Sequence, residues 1–164
     1  MGKYFLPDSP EMIEELRAFL YAARIASKGT NSPVDQALRG SHVTVYEQGN
    51  VWRFEDEWYG NAPFSGFTKI SYCGEVCWTM HYWGNFTPGT VEEHTRVVLE
   101  KALENTSAEA PWRGPTATPQ NGGDSPYYNY GSGDITSFQG HEAIHSIHGL
   151  LLYYAEYRGG LVKR

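Results

Sequence analysis

The stretch Phe138-Gln139-Gly140-His141-Glu142-Ala143-Ile144-His145 decides how the chain folds. It contains the string H-E-x-x-H, which binds zinc when a helix sets both histidines on one side of the ion. In a strand the two histidines lie about 13 Å apart, at about 3.3 Å per residue. One zinc ion, with ligands at about 2 Å, cannot join them. Because the turn sequence His148-Gly149 follows, we predict a strand, no metal site and no cofactor, with an HEXXH zinc protease as the minor alternative.

The same stretch belongs to an internal repeat. The first copy reads Phe64, Gly66, Ile70, Gly74, Val76, Trp78, Met80, Tyr82 and Gly84, and the second reads Phe138, Gly140, Ile144, Gly149, Leu151, Tyr153, Ala155, Tyr157 and Gly159. One residue is inserted at the turn of the second copy. Phe67, Thr68 and Ser71 stand in the first copy where the second has His, Glu and His, and they cannot form a zinc site. The pattern predicts a duplicated unit, a helix plus an aromatic hairpin, at about 10–86 and about 90–161.

The remaining patterns predict one α+β domain over residues 1–164, with two helices on a twisted antiparallel sheet of about six strands. Asp8 or Ser9 caps a helix that ends before Lys28-Gly29, and Thr90-x-x-Glu93 opens a second helix that runs to about Leu103. The strands are expected at 42–47, 51–59, 64–73 and 76–82, and in a final hairpin at 135–157. Polar, glycine-rich composition predicts loops at 29–41 and 111–134.

Charge and cysteine content exclude several classes of function. The net charge is −6, and Lys163-Arg164 is the sole pair of adjacent basic residues, so we expect neither nucleic acid nor a membrane surface as a partner. We find no apolar signal region and no run of about 18 apolar residues. Cys73 and Cys77 flank an expected turn at Gly74-Glu75 and are interpreted as reduced thiols. These features predict a cytoplasmic protein.

Strand alternation places two carboxylates on aromatic faces. Asp56 shares a face with Trp52, Phe54 and Trp58, and Glu142 shares one with Phe138 and Ile144. A carboxylate on an inward face is costly unless it is bonded or lines a polar cavity, and active sites use such groups. The alternatives are an internal partner, such as a backbone amide, a tyrosine hydroxyl or Arg113, and a register slipped by one residue, which sends both acids to solvent.

The combined motifs resemble the bacterial domain-of-unknown-function family numbered 5680. The residues that carry the resemblance are Gly40-Ser41, Tyr46, Phe54-x-Asp56-x-x-Tyr59-Gly60, Phe64-x-Gly66, Trp78-x-Met80-x-Tyr82-x-Gly84, Ala110-Pro111-Trp112-Arg113-Gly114-Pro115, Gly133-Asp134, Phe138-x-Gly140-x-Glu142-x-Ile144 and Tyr153-x-x-x-Tyr157-x-Gly159-Gly160. The family implies no established activity. Similar domains stand alone or follow a DNA-binding helix-turn-helix, which implies a sensor role. This chain departs from the family pattern at Phe67-Thr68, where a Glu commonly stands, and Glu142 is left as the matching acid.

Three functions fit these observations. The leading hypothesis is a small-molecule-binding, sensory domain with an aromatic pocket. Its predicted ligand-binding residues are Trp52, Trp58, Trp78, Tyr82, Arg113, Glu142, Tyr153 and Tyr157. The second hypothesis is an enzyme with Glu142 or Asp56 as the candidate catalytic acid or base. The third is a protein-interaction module, homodimerisation included, that uses the 111–134 loop or a sheet edge.

Overall fold

The described part of the protein folds as one antiparallel sheet with two helices. The computed structural model describes residues 9–27, 41–90, 92–116 and 125–162. The elements are α1 (Pro10–Ala26), β1 (Ser41–Gln48), β2 (Trp52–Gly60), β3 (Phe64–Tyr72), β4 (Glu75–Phe86), α2 (Glu92–Glu104), β5 (Tyr127–Asp134), β6 (Ser137–His145) and β7 (Leu151–Leu161). The strand order is β1-β2-β3-β4-β7-β6-β5. The α+β class is confirmed, and the described strands number seven where the sequence predicted about six.

The additional strand, β5, lies inside the segment predicted as the 111–134 loop, and that prediction was wrong for residues 127–134. Gly131 and Gly133 were taken as loop residues. In the sheet, Gly131 lies opposite Gly140, and a Cβ atom at Gly131 would stand 2.6 Å from the Tyr157 hydroxyl oxygen. The glycine therefore admits a tyrosine within the sheet rather than ending a strand. Residues 117–124 of the predicted loop, and 29–40 of the other predicted loop, lie outside the described residues.

The strand prediction for 138–145 is confirmed. Glu142 pairs with Asn129 on one side and Ala155 on the other, in an antiparallel register that shifts in the β6–β7 pair only after Ile144. Glu142 is buried, while His141 is exposed and His145 half-buried on the opposite face. The two histidines therefore do not adopt the helical arrangement of a zinc protease. Among the described residues, no three His, Cys, Asp or Glu side chains are grouped to hold a metal ion.

Both helices pack on the same face of the sheet, which we call the inner face. Ser9 caps α1, its Oγ accepting a hydrogen bond of 3.3 Å from the Met12 amide, as the sequence predicted. Leu16 and Leu20 of α1 are fully buried on the half of the sheet that contains β1 and β2. Leu99 of α2 is buried near β5 and β6. Full burial of one such side chain contributes about 1.5–3 kcal/mol to folding.

The other face, which we call the open face, is covered by no helix of the described residues. Neither of the described helices is long and apolar enough to cross a membrane.

The turn between β3 and β4 contains Cys73 and Gly74, because Tyr72 pairs with Glu75. The predicted turn at Gly74-Glu75 was wrong by one residue. Cys73 and Gly74 both have positive φ, at 49° and 83°, which is the backbone shape that a two-residue hairpin turn needs. Cys73 is exposed, Cys77 is buried, and neither forms a disulfide.

Candidate functional site

Glu142 lies at the centre of a buried network on the inner face. Its side chain is in β6 and only 1% exposed. Arg113, from the loop that follows α2, donates through Nε at 3.1 Å and through a second nitrogen, which makes a bidentate ion pair. Tyr153 donates its hydroxyl at 2.8 Å, and Tyr127 donates to the other carboxylate oxygen. Every oxygen of the carboxylate is therefore bonded inside the protein.

Asp56 of β2 forms a second, smaller network on the same face. Thr68 of β3 donates its hydroxyl to Asp56 at 2.6 Å, and Tyr82 donates at 3.2 Å. Arg24 of α1 reaches the other carboxylate oxygen at 3.6 Å. Asp56 is 9% exposed, so its bonds replace most of the hydration it would have in water. Both acids therefore have the contacts that the alternative to a ligand-facing role predicted, namely bonds to partners inside the protein.

A pair of tyrosines joins the two networks. Tyr82 of β4 lies directly opposite Tyr157 of β7 at the middle of the sheet. A Cβ atom at Gly66 would overlap the Tyr82 ring, and one at Gly140 would overlap the Tyr157 hydroxyl. The Arg113 guanidinium lies 5.5 Å from the centre of the Tyr82 ring and 6.0 Å from that of Tyr157, within cation–π range.

Burial sets the ionisation of these tyrosines. It raises the pKa of Tyr127 to about 12, although Arg113 acts in the opposite direction. The pKa of Tyr82 is raised well above its usual value by burial and by the charge of Asp56. The pKa values of Tyr153 and Tyr157 are raised as well, in both cases chiefly by burial. All four hydroxyls are therefore protonated donors at neutral pH.

The three predicted tryptophans lie outside this network. Trp52 stacks on Phe19 under α1 with ring centres 5.3 Å apart. Trp78 is fully buried, and its indole nitrogen donates to the Ile135 carbonyl at 2.9 Å. Trp58 stacks on His42 at 5.1 Å near the β1 edge. Of the predicted ligand-binding residues, the structure brings together Tyr82, Arg113, Glu142, Tyr153 and Tyr157. It places Trp52 and Trp78 elsewhere in the core, and half-buried Trp58 at the edge of the core.

The open face carries a groove that the sequence reasoning missed. Its volume is about 690 Å³, within the range of small-molecule sites. One row of side chains crosses the strands here, with Trp83 on β4, Glu156 on β7, His141 on β6 and Tyr130 on β5 as successive neighbours. Trp83 is 41% exposed and Tyr130 is 55% exposed. The two aromatic side chains therefore flank a polar centre.

A second row runs beside the first. It consists of His81, Arg158, Gln139 and Ser132 on β4, β7, β6 and β5. All four side chains line the groove and are exposed. Their register places Arg158 two residues beyond Glu156 on the same strand, a separation of about 6.6 Å.

Within the part of the chain that the structure describes, the charges of the groove are not paired. No side-chain hydrogen bond or ion pair of these residues involves Glu156 or Arg158. Elsewhere on the open face, Arg53 and Lys69 are bonded to Glu55, and Arg53 also to Glu47. In the groove, therefore, an acid and a guanidinium stand side by side with no side-chain partner among residues 9–27, 41–90, 92–116 and 125–162.

The sequence signal for this groove was the outward parity of the strands. Alternation along the strands puts Trp83, His141, Glu156 and Arg158 opposite the core residues, but none of them was predicted as a ligand-binding residue. Their grouping depends on β4, β7 and β6 being adjacent, which is a long-range property of the sheet. Strand alternation therefore identifies these residues as exposed but does not show that they are neighbours in the sheet.

The fold and the inner network define a class of protein, an α+β domain built on an open antiparallel sheet with buried acid–arginine pairs. A family model described as a domain of unknown function (DUF5680) matches residues 56–162, more than half of the chain. The chain belongs to this family. No curated protein and no solved structure matches it.

Most of the motifs that suggested the family surround the inner network. Asp56, Tyr82, Arg113, Glu142 and Tyr157 all come from those motifs, and all lie within the two networks or the tyrosine pair that joins them. The open-face side chains Trp83, His141, Glu156 and Arg158, by contrast, stand at the unspecified positions of those motifs. The family pattern therefore describes the inner face of the sheet.

Proposed function

We propose that this domain binds a small organic ligand in the groove on the open face. The observation that carries the proposal is the groove itself, in which Glu156 and Arg158 have no partner within the described residues and lie between Trp83 and Tyr130. Aromatic walls with a few convergent polar groups are typical of small-molecule sites. Binding would supply the partners that these two charges lack.

The inner residues support this site rather than contact the ligand in our proposal. Glu142 and Asp56 are bonded to arginine and to hydroxyl groups, and the aromatic side chains around them are packed. Tyr82 and Tyr157 also border the groove, but they are only 8% and 4% exposed. That the inward residues contact a ligand directly stays a prediction. Their internal contacts favour a supporting role.

The position of Trp83 gives a direct test. All five tryptophans lie within the described residues, and only Trp83 is on the open face. Trp52, Trp78 and Trp112 are in the core, and half-buried Trp58 packs against the core on the inner face. We would titrate the protein with a panel of planar aromatic compounds of either charge and record tryptophan emission. We expect saturable quenching by at least one compound, lost in Trp83→Phe.

Trp58→Phe is the matched control, because Trp58 lies on the inner face near the β1 edge. It should keep the quenching seen with the unsubstituted protein. If no compound quenches, or if Trp58→Phe removes the signal and Trp83→Phe leaves it, the proposed site is wrong.

We propose in addition that the domain arose by duplication of a helix-plus-aromatic-hairpin unit. Tyr82 and Tyr157, which correspond in the two copies, face each other at the centre of the sheet. Each lies over the glycine of its own Phe-x-Gly motif, Gly66 or Gly140. The hydroxyl of Tyr82 donates to Asp56, and that of Tyr157 donates to Asn129 at 2.6 Å, the residue in the corresponding place on β5. These matched contacts support a pseudo-twofold axis between β4 and β7.

A sensory role in the cytoplasm stays part of the proposal. Its support is the resemblance to domains that follow a helix-turn-helix, together with two cysteines that form no disulfide. The enzyme hypothesis requires Glu142 or Asp56 to meet a substrate. Their bonds to arginine and hydroxyl groups would first have to break, and we therefore do not propose an acid–base reaction at these residues.

A further inference from the structure

We infer that the ligand of the groove is a planar aromatic molecule that carries a carboxylate on a short spacer. This inference rests on the proposed function and adds the chemical class of the ligand. It is carried by the difference between the two rows of side chains that line the groove. One row supplies hydrogen-bond donors without an acid, and the other supplies aromatic surface.

The donor row is suited to an anion. Arg158 stands between His81 and Gln139, with Ser132 next along the row. Each of these side chains can donate a hydrogen bond, and the guanidinium matches a carboxylate with two parallel bonds. The row reaches an acid only at Glu57 on β2, three strands from Arg158, or about 14 Å. An anion at Arg158 therefore meets no acid within this row at short range.

The aromatic row is suited to a planar ring. Trp83 packs against Tyr154 with ring centres 5.5 Å apart, and Tyr130 packs against His141 at 5.0 Å. These contacts hold the two aromatic walls in place while each stays partly exposed. A ligand ring that packs on either wall gains apolar contact at little cost in side-chain freedom.

The spacing between the rows limits the ligand. Side chains two residues apart on one strand face are separated by about 6.6 Å. In a ligand whose ring lies over the first row and whose carboxylate binds Arg158, the spacer between the two groups is thus one or two carbons long. Glu156 lies in the ring's row, where a carboxylate would be repelled and a ring N–H group would find an acceptor.

Three related compounds separate these requirements. Indole-3-acetate has the ring and the carboxylate, tryptamine has the same ring with an ammonium group, and acetate has the carboxylate alone. We would measure binding of each to the full chain by isothermal titration calorimetry. We expect indole-3-acetate to bind at least about tenfold more tightly than tryptamine, and acetate to give no measurable heat.

Arg158→Gln tests the residue assigned to the carboxylate. It should weaken indole-3-acetate binding about tenfold or more. Because Arg158 is exposed, the substitution should leave the midpoint of urea unfolding of the protein unchanged. Arg53→Gln is the matched control, since Arg53 is also an open-face arginine but is bonded to Glu47 and Glu55 outside the groove. It should bind indole-3-acetate as the unsubstituted protein does.

The outcomes separate the two proposals. Tighter binding of tryptamine, or unchanged binding of indole-3-acetate by Arg158→Gln, overturns the ligand class while the groove stands as a binding site. If neither indole compound binds and the wider aromatic panel gives no quenching, the groove is not a ligand site and both proposals fail.

Discussion

The two faces of the sheet each carry a glutamate and an arginine, and they treat them in opposite ways. On the inner face Glu142 and Arg113 bind each other, and two tyrosine hydroxyls complete the carboxylate's bonds. On the open face Glu156 and Arg158 are neighbours along β7, yet neither has a partner among the described residues. The difference teaches that an acid and an arginine must be bonded to each other where they are desolvated, because an unpaired buried charge is costly, whereas Glu156 and Arg158 can stay unpaired where water reaches them.

The largest effect we expect comes from breaking the inner pair. Glu142→Gln removes the charge that compensates buried Arg113 and should lower the free energy of unfolding by about 3–5 kcal/mol. Urea denaturation followed by circular dichroism measures this loss. Glu156→Gln is the control on the open face, and it should change stability by no more than about 0.5 kcal/mol. Similar losses in the two variants would remove the contrast between the faces.

The second largest effect should come from alkaline pH, which lowers the free energy of unfolding by ionising a buried tyrosine of the inner face. Burial raises the pKa of Tyr127 to about 12 in the folded protein, above about 10 in the unfolded chain. Because of the raised pKa, the folded state keeps the Tyr127 proton to a higher pH than the unfolded chain does. The contribution of this hydroxyl to the free energy of unfolding is therefore complete below about pH 10 and is lost as the pH rises from about 10 to about 12. It amounts to roughly 2–3 kcal/mol for Tyr127.

The unfolding free energy at several pH values between about 9 and about 12 measures this loss. Tyr127→Phe serves as the control, because it lacks the titrating group, and its stability should fall less steeply over the same range. Equal slopes for Tyr127→Phe and the unsubstituted protein would exclude a role for this hydroxyl.

Gly140 should show a smaller effect, through packing. A Cβ atom in Gly140→Ala would overlap the Tyr157 hydroxyl, and overpacking of this kind costs about 1–3 kcal/mol. Tyr157→Phe in the same chain removes the hydroxyl and should recover part of the loss. A double-mutant cycle measures that coupling, and strict additivity of the two substitutions would mean that the glycine is not needed for Tyr157.

The parts of the fold that depend on local patterns could be predicted from the sequence. Strand alternation over 138–145 placed Glu142 inward and both histidines outward, and the cap at Ser9 located the start of α1. Arg113 was one of three alternatives given for an internal partner of the acids, beside a backbone amide and a tyrosine hydroxyl. These features depend on neighbours along the chain or on the cost of burying a charge.

The missed features depend on distant parts of the chain. Strand β5 contains glycines because the Tyr157 hydroxyl approaches Gly131, and that contact is invisible in the sequence of β5 alone. The groove requires β7 to lie between β4 and β6, although β4 precedes β7 by more than sixty residues. The carboxylates on the apolar strand faces favoured a site on the inner side, where Glu142 and Asp56 are bonded within the protein.

The indole N–H signals of the five tryptophans give the most direct comparison of the faces. In a two-dimensional NMR titration with indole-3-acetate, the Trp83 signal should move progressively and reach saturation. The signals of Trp78 and Trp52, whose indole nitrogens are bonded to Ile135 and Glu15, should stay in place. Movement of those two signals with Trp83 unchanged would place the ligand among the inner residues and contradict a binding site on the open face.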